Sequence, residues 1–341
     1  MRVVEVPEGG GLRAGERPEP EPAVGQVRVR VAACGVNHLD RMIAEGTLPG
    51  PAPRPRVPGG EVAGWVDAVG GGVDAALVGR AVAVAPYLFC GRCEMCLGGR
   101  ETICRSGDIL GLGCDGGYAE AVVVPAQNLV PLPAGLDPQV AAALPLAAAT
   151  AHHMLVDRAG LRPGESVLVV GVGGGVASAG LRLARLMGAR VIAASRAPDK
   201  LARAQADGAE ATVTLGDPDS SVARQVRALT GGAGVDVVFD PLGSVYWADD
   251  LQALARGGRL VTCGAYGERA ATTDVWLTFA KELSLLGSYG ASRRNVAELV
   301  ALTAAGAFTP AIAGRLPLAE AAEAHRRLRA GEVYGKLLLT P

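Results

Sequence analysis

The run Val167-Leu168-Val169-Val170, followed at once by Gly171-Val172-Gly173-Gly174-Gly175-Val176, leaves a chain few ways to fold. Four consecutive apolar residues read as a strand buried on both faces, as in a parallel sheet. Beyond the glycines, Val176, Gly180, Leu183, Ala184 and Met187 share one helical face. Short apolar strands recur at Arg190 to Ala194, Ala211 to Leu215, Val235 to Phe239, Arg259 to Thr262 and Leu283 to Leu286, with helix-compatible stretches between most of them. That alternation predicts an α/β region, a doubly wound parallel sheet with helices on both faces. Glycines between a buried strand and a helix let the backbone approach a pyrophosphate, whose charge the helix start favours. Gly171, Gly173, Gly174, Gly175 and Val176 are therefore read as a dinucleotide site, against the plain alternative of a Gly-rich turn.

The second strand of the sheet decides which dinucleotide. An NAD site usually ends that strand in an acid that binds the ribose 2′-OH and repels a 2′-phosphate. Here the strand runs into Ser195-Arg196, with Lys200 four residues on. A hydroxyl, a guanidinium and an ammonium suit a phosphate dianion, so the expected cofactor is NADPH. The competing view makes Arg196 and Lys200 ordinary solvated side chains.

The first ~125 residues read differently. Val27 to Val31 alternates with period two, and Glu61 to Val69, Arg80 to Ala85 and Tyr118 to Val124 are further strands cut by turns. Pro51, Pro53, Pro55 and Pro58 mark an extended loop before Gly59-Gly60-Glu61. Leu316-Pro317-Leu318 leads into a helix, and Gly335 to Leu339 forms a final strand expected to rejoin this β-rich part. Within it lies Cys90-x2-Cys93-x2-Cys96-x7-Cys104. Four thiolates at that spacing close a tetrahedral zinc shell with no position open to substrate, which makes the metal structural. Reduced loop thiols, or an iron–sulfur cluster, are the other readings. Cys34, Cys114 and Cys263 are expected to be small buried hydrophobes.

Composition narrows the partners. A formal net charge of −1, with 49% hydrophobic and 20% charged residues, excludes a disordered chain and argues against nucleic acid or an anionic membrane. The N-terminal Met1-Arg2-Val3-Val4-Glu5-Val6-Pro7 has no long apolar run. The stretch Ala141 to Val156 holds Pro145, His152 and His153 and is too short to span a bilayer. The expected location is cytoplasmic, where disulfides are unlikely.

Taken in order, these pieces resemble the zinc-containing alcohol dehydrogenase and quinone reductase family, the medium-chain dehydrogenases. The residues that carry the likeness are Gly35-Val36-Asn37-His38-Leu39-Asp40, Gly59-Gly60-Glu61, the cysteine lobe, Gly116-Gly117-Tyr118-Ala119-Glu120, Pro145 through Ala151, the glycine turn and Gly335-Lys336. The resemblance implies a GroES-like β domain over 1–148 with a zinc lobe at 86–105, a Rossmann NADP(H)-binding domain over 149–287, and a return to the first domain over 288–341. It also implies a homodimer or homotetramer. By the same analogy Asp240, Leu242, Gly264, Ala265 and Lys336 line the cofactor, and Thr150 packs on the nicotinamide.

The sequence departs from the family at the catalytic zinc. The three ligand positions carry Asn37, Gly60 and Leu146, none of which supplies a thiolate or an imidazole. Without a Lewis acid, alcohol oxidation loses its main driving interaction. A conjugated C=C bond or a quinone remains reducible by hydride addition, with hydrogen bonds stabilising the enolate. Asn37, His38, Asp40, Thr150 and His152 are the candidate catalytic residues: Asn37 as donor to a carbonyl, Asp40 as participant or cap, His152 as proton donor or buried histidine. Glu61 is free to form an internal salt bridge. Two rival readings stand beside this one: an alcohol dehydrogenase whose zinc sits on Cys34, His38 and Glu61, and an NADPH-binding protein with no catalysis.

Overall fold

The computed structural model describes residues 1–48 and 54–341, so Pro51 and Pro53 of the expected loop lie outside the described residues. The chain forms two compact units, one of Met1–Ala149 with Ala291–Pro341 and the other of Thr150–Gly290.

The first unit is built on a seven-stranded sheet whose central strand, Gln26–Gly35, alternates half-buried and buried residues before running fully buried. It pairs antiparallel with Glu61–Val69, Ala121–Pro125 and Lys336–Thr340. Ala81–Val84 and Leu129–Pro131 extend one side, and Ile312–Pro317 lies parallel to Lys336–Thr340 on the other. Val27, Val29, Val62, Val82, Val124 and Leu339 fill the core from alternating positions. Tyr118, expected to open a strand, enters this core at 0% exposure, Ala119 makes an isolated antiparallel bridge to Val3, and the ladder with the central strand begins at Ala121.

Register does the positioning. Gly35 stands opposite Glu61, and Leu338 opposite Gly35. Extending the second pairing by two residues brings Lys336 level with Asn37. Three segments far apart in sequence thereby deliver Asn37, Glu61 and Lys336 to one point.

The second unit is a six-stranded parallel sheet in the order Ala211–Thr214, Arg190–Ser195, Ser166–Val170, Val235–Asp240, Leu254–Thr262, Ser284–Gly287. Chain order reverses between Ser166–Val170 and Val235–Asp240, the switch point at which open α/β sheets bind ligands. The fifth strand starts at Leu254, earlier than expected, because Leu254 pairs with Val235 before an irregularity restores register at Arg259. The helix Gly175–Leu186 lies on the sheet. Its Gly180 abuts Phe239, whose ring atoms sit 2.9 Å from where a Cβ would be. Among the described residues no helix is long and apolar enough to cross a membrane.

Close packing at Gly180 generates a test. Gly180→Val overpacks the helix against Phe239 and should destabilise the fold by about 1–3 kcal/mol. The denaturation midpoint should fall, and an unchanged midpoint would contradict this packing.

Candidate active site and metal lobe

At the meeting point of the three strands, the Lys336 ammonium donates to the Val36 carbonyl at 2.7 Å and to Asn37 Oδ1 at 2.7 Å, and pairs with Glu61 Oε2 at 2.6 Å. These three acceptors use all three of its protons. Asn37 Nδ2 donates to the Gly35 carbonyl and to Glu61 Oε2, each at 3.1 Å. The second carboxylate oxygen, Oε1, accepts the backbone N–H groups of Leu146 and Ala147 at 3.0 and 2.9 Å. Glu61, Lys336 and Asn37 are 0%, 4% and 7% exposed. A buried ion pair is tolerated when hydrogen bonds satisfy its remaining valences, and this one meets that condition.

The network corrects two expectations. Asn37 has spent both amide protons inside the protein and has none left for a substrate carbonyl. Lys336, expected to line the cofactor, likewise has its three protons engaged inside the protein.

Asp40 turns out to be a structural brace. Its Oδ2 accepts from Asn37 N at 2.8 Å and its Oδ1 from Gly59 N at 3.1 Å, capping the helix His38–Glu45. Burial lifts its pKa to about 6. Tyr118, which the sequence did not single out as a site residue, bonds through its hydroxyl to His325 Nε2 at 3.0 Å, with Asp40 Oδ2 at 3.4 Å. His38 is half-buried, and desolvation lowers its pKa to about 4, so it stands as a neutral imidazole at pH 7. Thr150 and His152 are buried, at 5% and 7% exposure, in the helix Ala149–His152.

Gly60 and Leu146 fill each other's space. A Cβ on Gly60 would lie 3.2 Å from Leu146 Cδ1 and 2.9 Å from the Leu110 carbonyl oxygen. A histidine here would have to displace the leucine.

In the second unit the helix Gly175–Leu186 starts behind Gly174, which has no side chain to cap it. Its first N–H groups and the helix dipole favour an anion. Lys200 lies across this turn, with Cδ 2.6 Å and Nζ 3.3 Å from where a Gly173 Cβ would be. Burial lowers the Lys200 pKa. Ser195 Oγ accepts from Ala197 N at 3.2 Å, which leaves its proton to donate. Arg196 is exposed.

The loops after the fourth and fifth strands are stitched together, with Tyr266 N donating to the Leu242 carbonyl at 2.7 Å. Leu242 packs against Gly171, while Gly243 lies close to Gly264. Ala265 is exposed. Asp240 differs from its expected role: its side chain is fully buried and accepts Leu242 N at 2.7 Å and Gly243 N at 2.8 Å. It shapes the loop from within.

The metal lobe stands in the first unit, between the short strands Tyr87–Leu88 and Asp108–Ile109. Sulfur separations are 3.9 Å for Cys90–Cys96, 3.5 Å for Cys93–Cys96 and 3.9 Å for Cys93–Cys104. A zinc tetrahedron with Zn–S bonds of ~2.3 Å has edges of ~3.8 Å. The donors fit that ion. Backbone N–H groups of Cys90 and Cys93 point at Cys104 Sγ and Cys90 Sγ, each at 3.3 Å, and backbone N–H groups hold the pKa of the Cys90 thiol below its ordinary value. Among the described residues this is the one set of three or more Cys, His, Asp or Glu side chains with ligand atoms close enough to share an ion. Of the other cysteines, Cys34 is buried, but Cys114 and Cys263 are only half-buried.

Residues 23–134 match the alcohol dehydrogenase GroES-like domain, and residues 175–305 match the zinc-binding dehydrogenase domain. Among solved structures, an NAD-dependent alcohol dehydrogenase superimposes with a TM-score of 0.94 at 42% identity, covering 100% of both chains. An alcohol dehydrogenase of Geobacillus stearothermophilus is 30% identical over 96% of this chain and 96% of its own. The acryloyl-coenzyme A reductase of Metallosphaera sedula is 30% identical over 97% of this chain and 96% of its own. With both domains matched and relatives aligned over almost the whole length, the chain belongs to the zinc-type alcohol dehydrogenase family of medium-chain oxidoreductases.

Proposed function

We propose that this chain is an NADPH-dependent reductase of a conjugated C=C bond, in an enone or other α,β-unsaturated carbonyl compound, or of a quinone, and that it acts without a catalytic zinc. The observation that carries the reading is the closed Lys336–Glu61–Asn37 network together with the Gly60–Leu146 contact. The residues at that position do not fit a metal: both Glu61 oxygens are committed, and an ammonium already supplies the positive charge. A relative named for reducing acryloyl-coenzyme A, a conjugated thioester, supports the substrate class. The rival alcohol dehydrogenase with zinc on Cys34, His38 and Glu61 would have to dismantle this network first.

Bound NADPH would supply the hydride that adds to the β carbon. The chain's own part is to hold phosphates and manage charge. The N–H groups of the glycine turn suit the pyrophosphate, and Ser195, Arg196 and Lys200 suit the 2′-phosphate. As hydride arrives at the β carbon, charge develops on the carbonyl oxygen and calls for a hydrogen-bond donor. A proton then completes the α carbon, or the second oxygen of a quinone. With Asn37 committed elsewhere, His38, Thr150 and His152 are the side chains we assign to this work. His38, neutral at pH 7, would donate an imidazole N–H without adding a charge. The expected homo-oligomer is supported by exposed Val275, Trp276 and Phe279 on the helix Val275–Ala280, close to the edge strand Ser284–Gly287.

Metal analysis of the purified protein should give about one zinc per chain, held by the cysteine lobe. About two would overturn the metal-free site. NADPH oxidation should proceed with a cyclic enone or a naphthoquinone and not with simple aldehydes, and the reverse preference would refute the substrate class. Arg196→Ala and Lys200→Ala should each raise the KM for NADPH by roughly 10–100-fold, the worth of a charge-assisted hydrogen bond, and leave that for NADH nearly unchanged. Equal losses with both cofactors would rule out a 2′-phosphate site.

A further inference from the structure

Asp250, on the helix Trp247–Ala253, is 0% exposed, and neither of its carboxyl oxygens receives a hydrogen bond from an N–H or hydroxyl group among the described residues. Its neighbour is Asp240, also 0% exposed, at the end of the strand Val235–Asp240 on which this helix packs, and each carboxyl group acts electrostatically on the other. Two carboxylates buried together cannot both ionise. Asp240 already receives the Leu242 and Gly243 N–H groups, which stabilise charge on it. Asp250 is therefore the member that keeps the proton and donates it.

Among the described residues no cation acts on the pair. Asp249, from the same helix, adds a further negative charge and is tied to Val222 N at 3.3 Å, at the start of the helix Val222–Leu229. Cys263, just beyond the strand Leu254–Thr262, lies within the electrostatic reach of Asp240. From this interior position the pair reaches the surface through one short loop. Asp240 holds the N–H groups of Leu242 and Gly243, and the Leu242 side chain lies against Gly171 of the glycine turn.

We propose that Asp250 is a positioning residue which, through a proton shared with Asp240, holds the Leu242–Gly243 loop against the glycine turn, so that dinucleotide affinity falls when that proton is lost. The proposal rests on the reading of Gly171 to Val176 as the dinucleotide site. Burial raises Asp240 to about 6, and burial together with the Asp240 charge raises Asp250 well above the carboxylate range. Both shifts are upward, so the folded protein holds the proton more tightly than the unfolded chain does. The contribution is intact below the ordinary carboxylate range and is lost as pH rises from there through the folded-state titrations, the upper of which lies above about 6.

The test measures NADPH binding to the full chain by cofactor fluorescence between pH 6.5 and 9.5. Asp250→Asn keeps a hydrogen-bond donor but removes the titrating proton. The wild-type Kd should rise at least about threefold more across this range than that of the variant, with the two within about twofold at pH 7. Lys200 also titrates toward alkaline pH, and it does so in both proteins, so the difference between them isolates the pair. Calorimetry in buffers of different ionisation enthalpy gives a second reading, which for the wild type needs no variant. NADPH binding near pH 9 should take up protons in the wild type, and fewer in Asp250→Asn.

Equal pH slopes, no proton uptake by the wild type, or an Asp250→Asn defect already complete at pH 7 would overturn the proposal. If neither protein binds NADPH at any pH, the dinucleotide reading has failed and takes this proposal with it. Melting temperatures then show separately whether the pair titrates, through a wild-type decline with rising pH that the variant lacks.

Discussion

One ammonium group holds the first unit's interior together. Lys336 is contributed by the last strand, and its acceptors come from the end of the central strand and the start of the next. Removing either charge from such a pair leaves the other buried and unpaired, at a cost of about 3–5 kcal/mol. The network therefore constrains sequence on all three strands at once. It also bears on whether this position can hold a metal. A group already neutral, with both Glu61 oxygens and all three Lys336 protons engaged, has little electrostatic reason to recruit a divalent ion.

Much of the second unit was readable because its signals are local. The strand Ser166–Val170, the glycine turn and the helix after it are contiguous, and each neighbour explains the next. The cysteine lobe was readable for the same reason, since four donors fall within fifteen residues. The expected strand missed its early start at Leu254, where Gly257 and Gly258 interrupt the apolar run. What the sequence could not show was pairing at a distance. Glu61 was marked as able to form an internal salt bridge, but nothing in one dimension matched it to Lys336, or showed that Asn37 would be used up between them. The register of two antiparallel ladders makes that match, and register is a property of the folded sheet.

The errors at Asp240 and Lys336 share a cause. Both sit at positions where a polar residue near a ligand is expected, and both turn inward because an unmet demand inside the protein outweighs one at the surface. Asp240 terminates a strand whose following loop leaves two N–H groups to satisfy. Asp250 was overlooked because, beside Asp249 on a helix, it reads as an ordinary solvated acid. Its burial is decided by the sheet beneath the helix.

The discontinuous first unit also bears on how the protein is made. Thr150–Gly290 is a single stretch and can complete its sheet while the chain is still being synthesised. The central strand Gln26–Gly35 must wait for Lys336–Thr340, about 300 residues later. At ~5–20 residues per second that delay is about 15–60 s on the ribosome. Throughout it the nascent N-terminal ladder lacks one edge partner, and Glu61 lacks its counter-charge. Until the last strand emerges, the nascent chain carries an open strand edge and an acid without its counter-charge, the kind of surface that makes folding intermediates prone to aggregate.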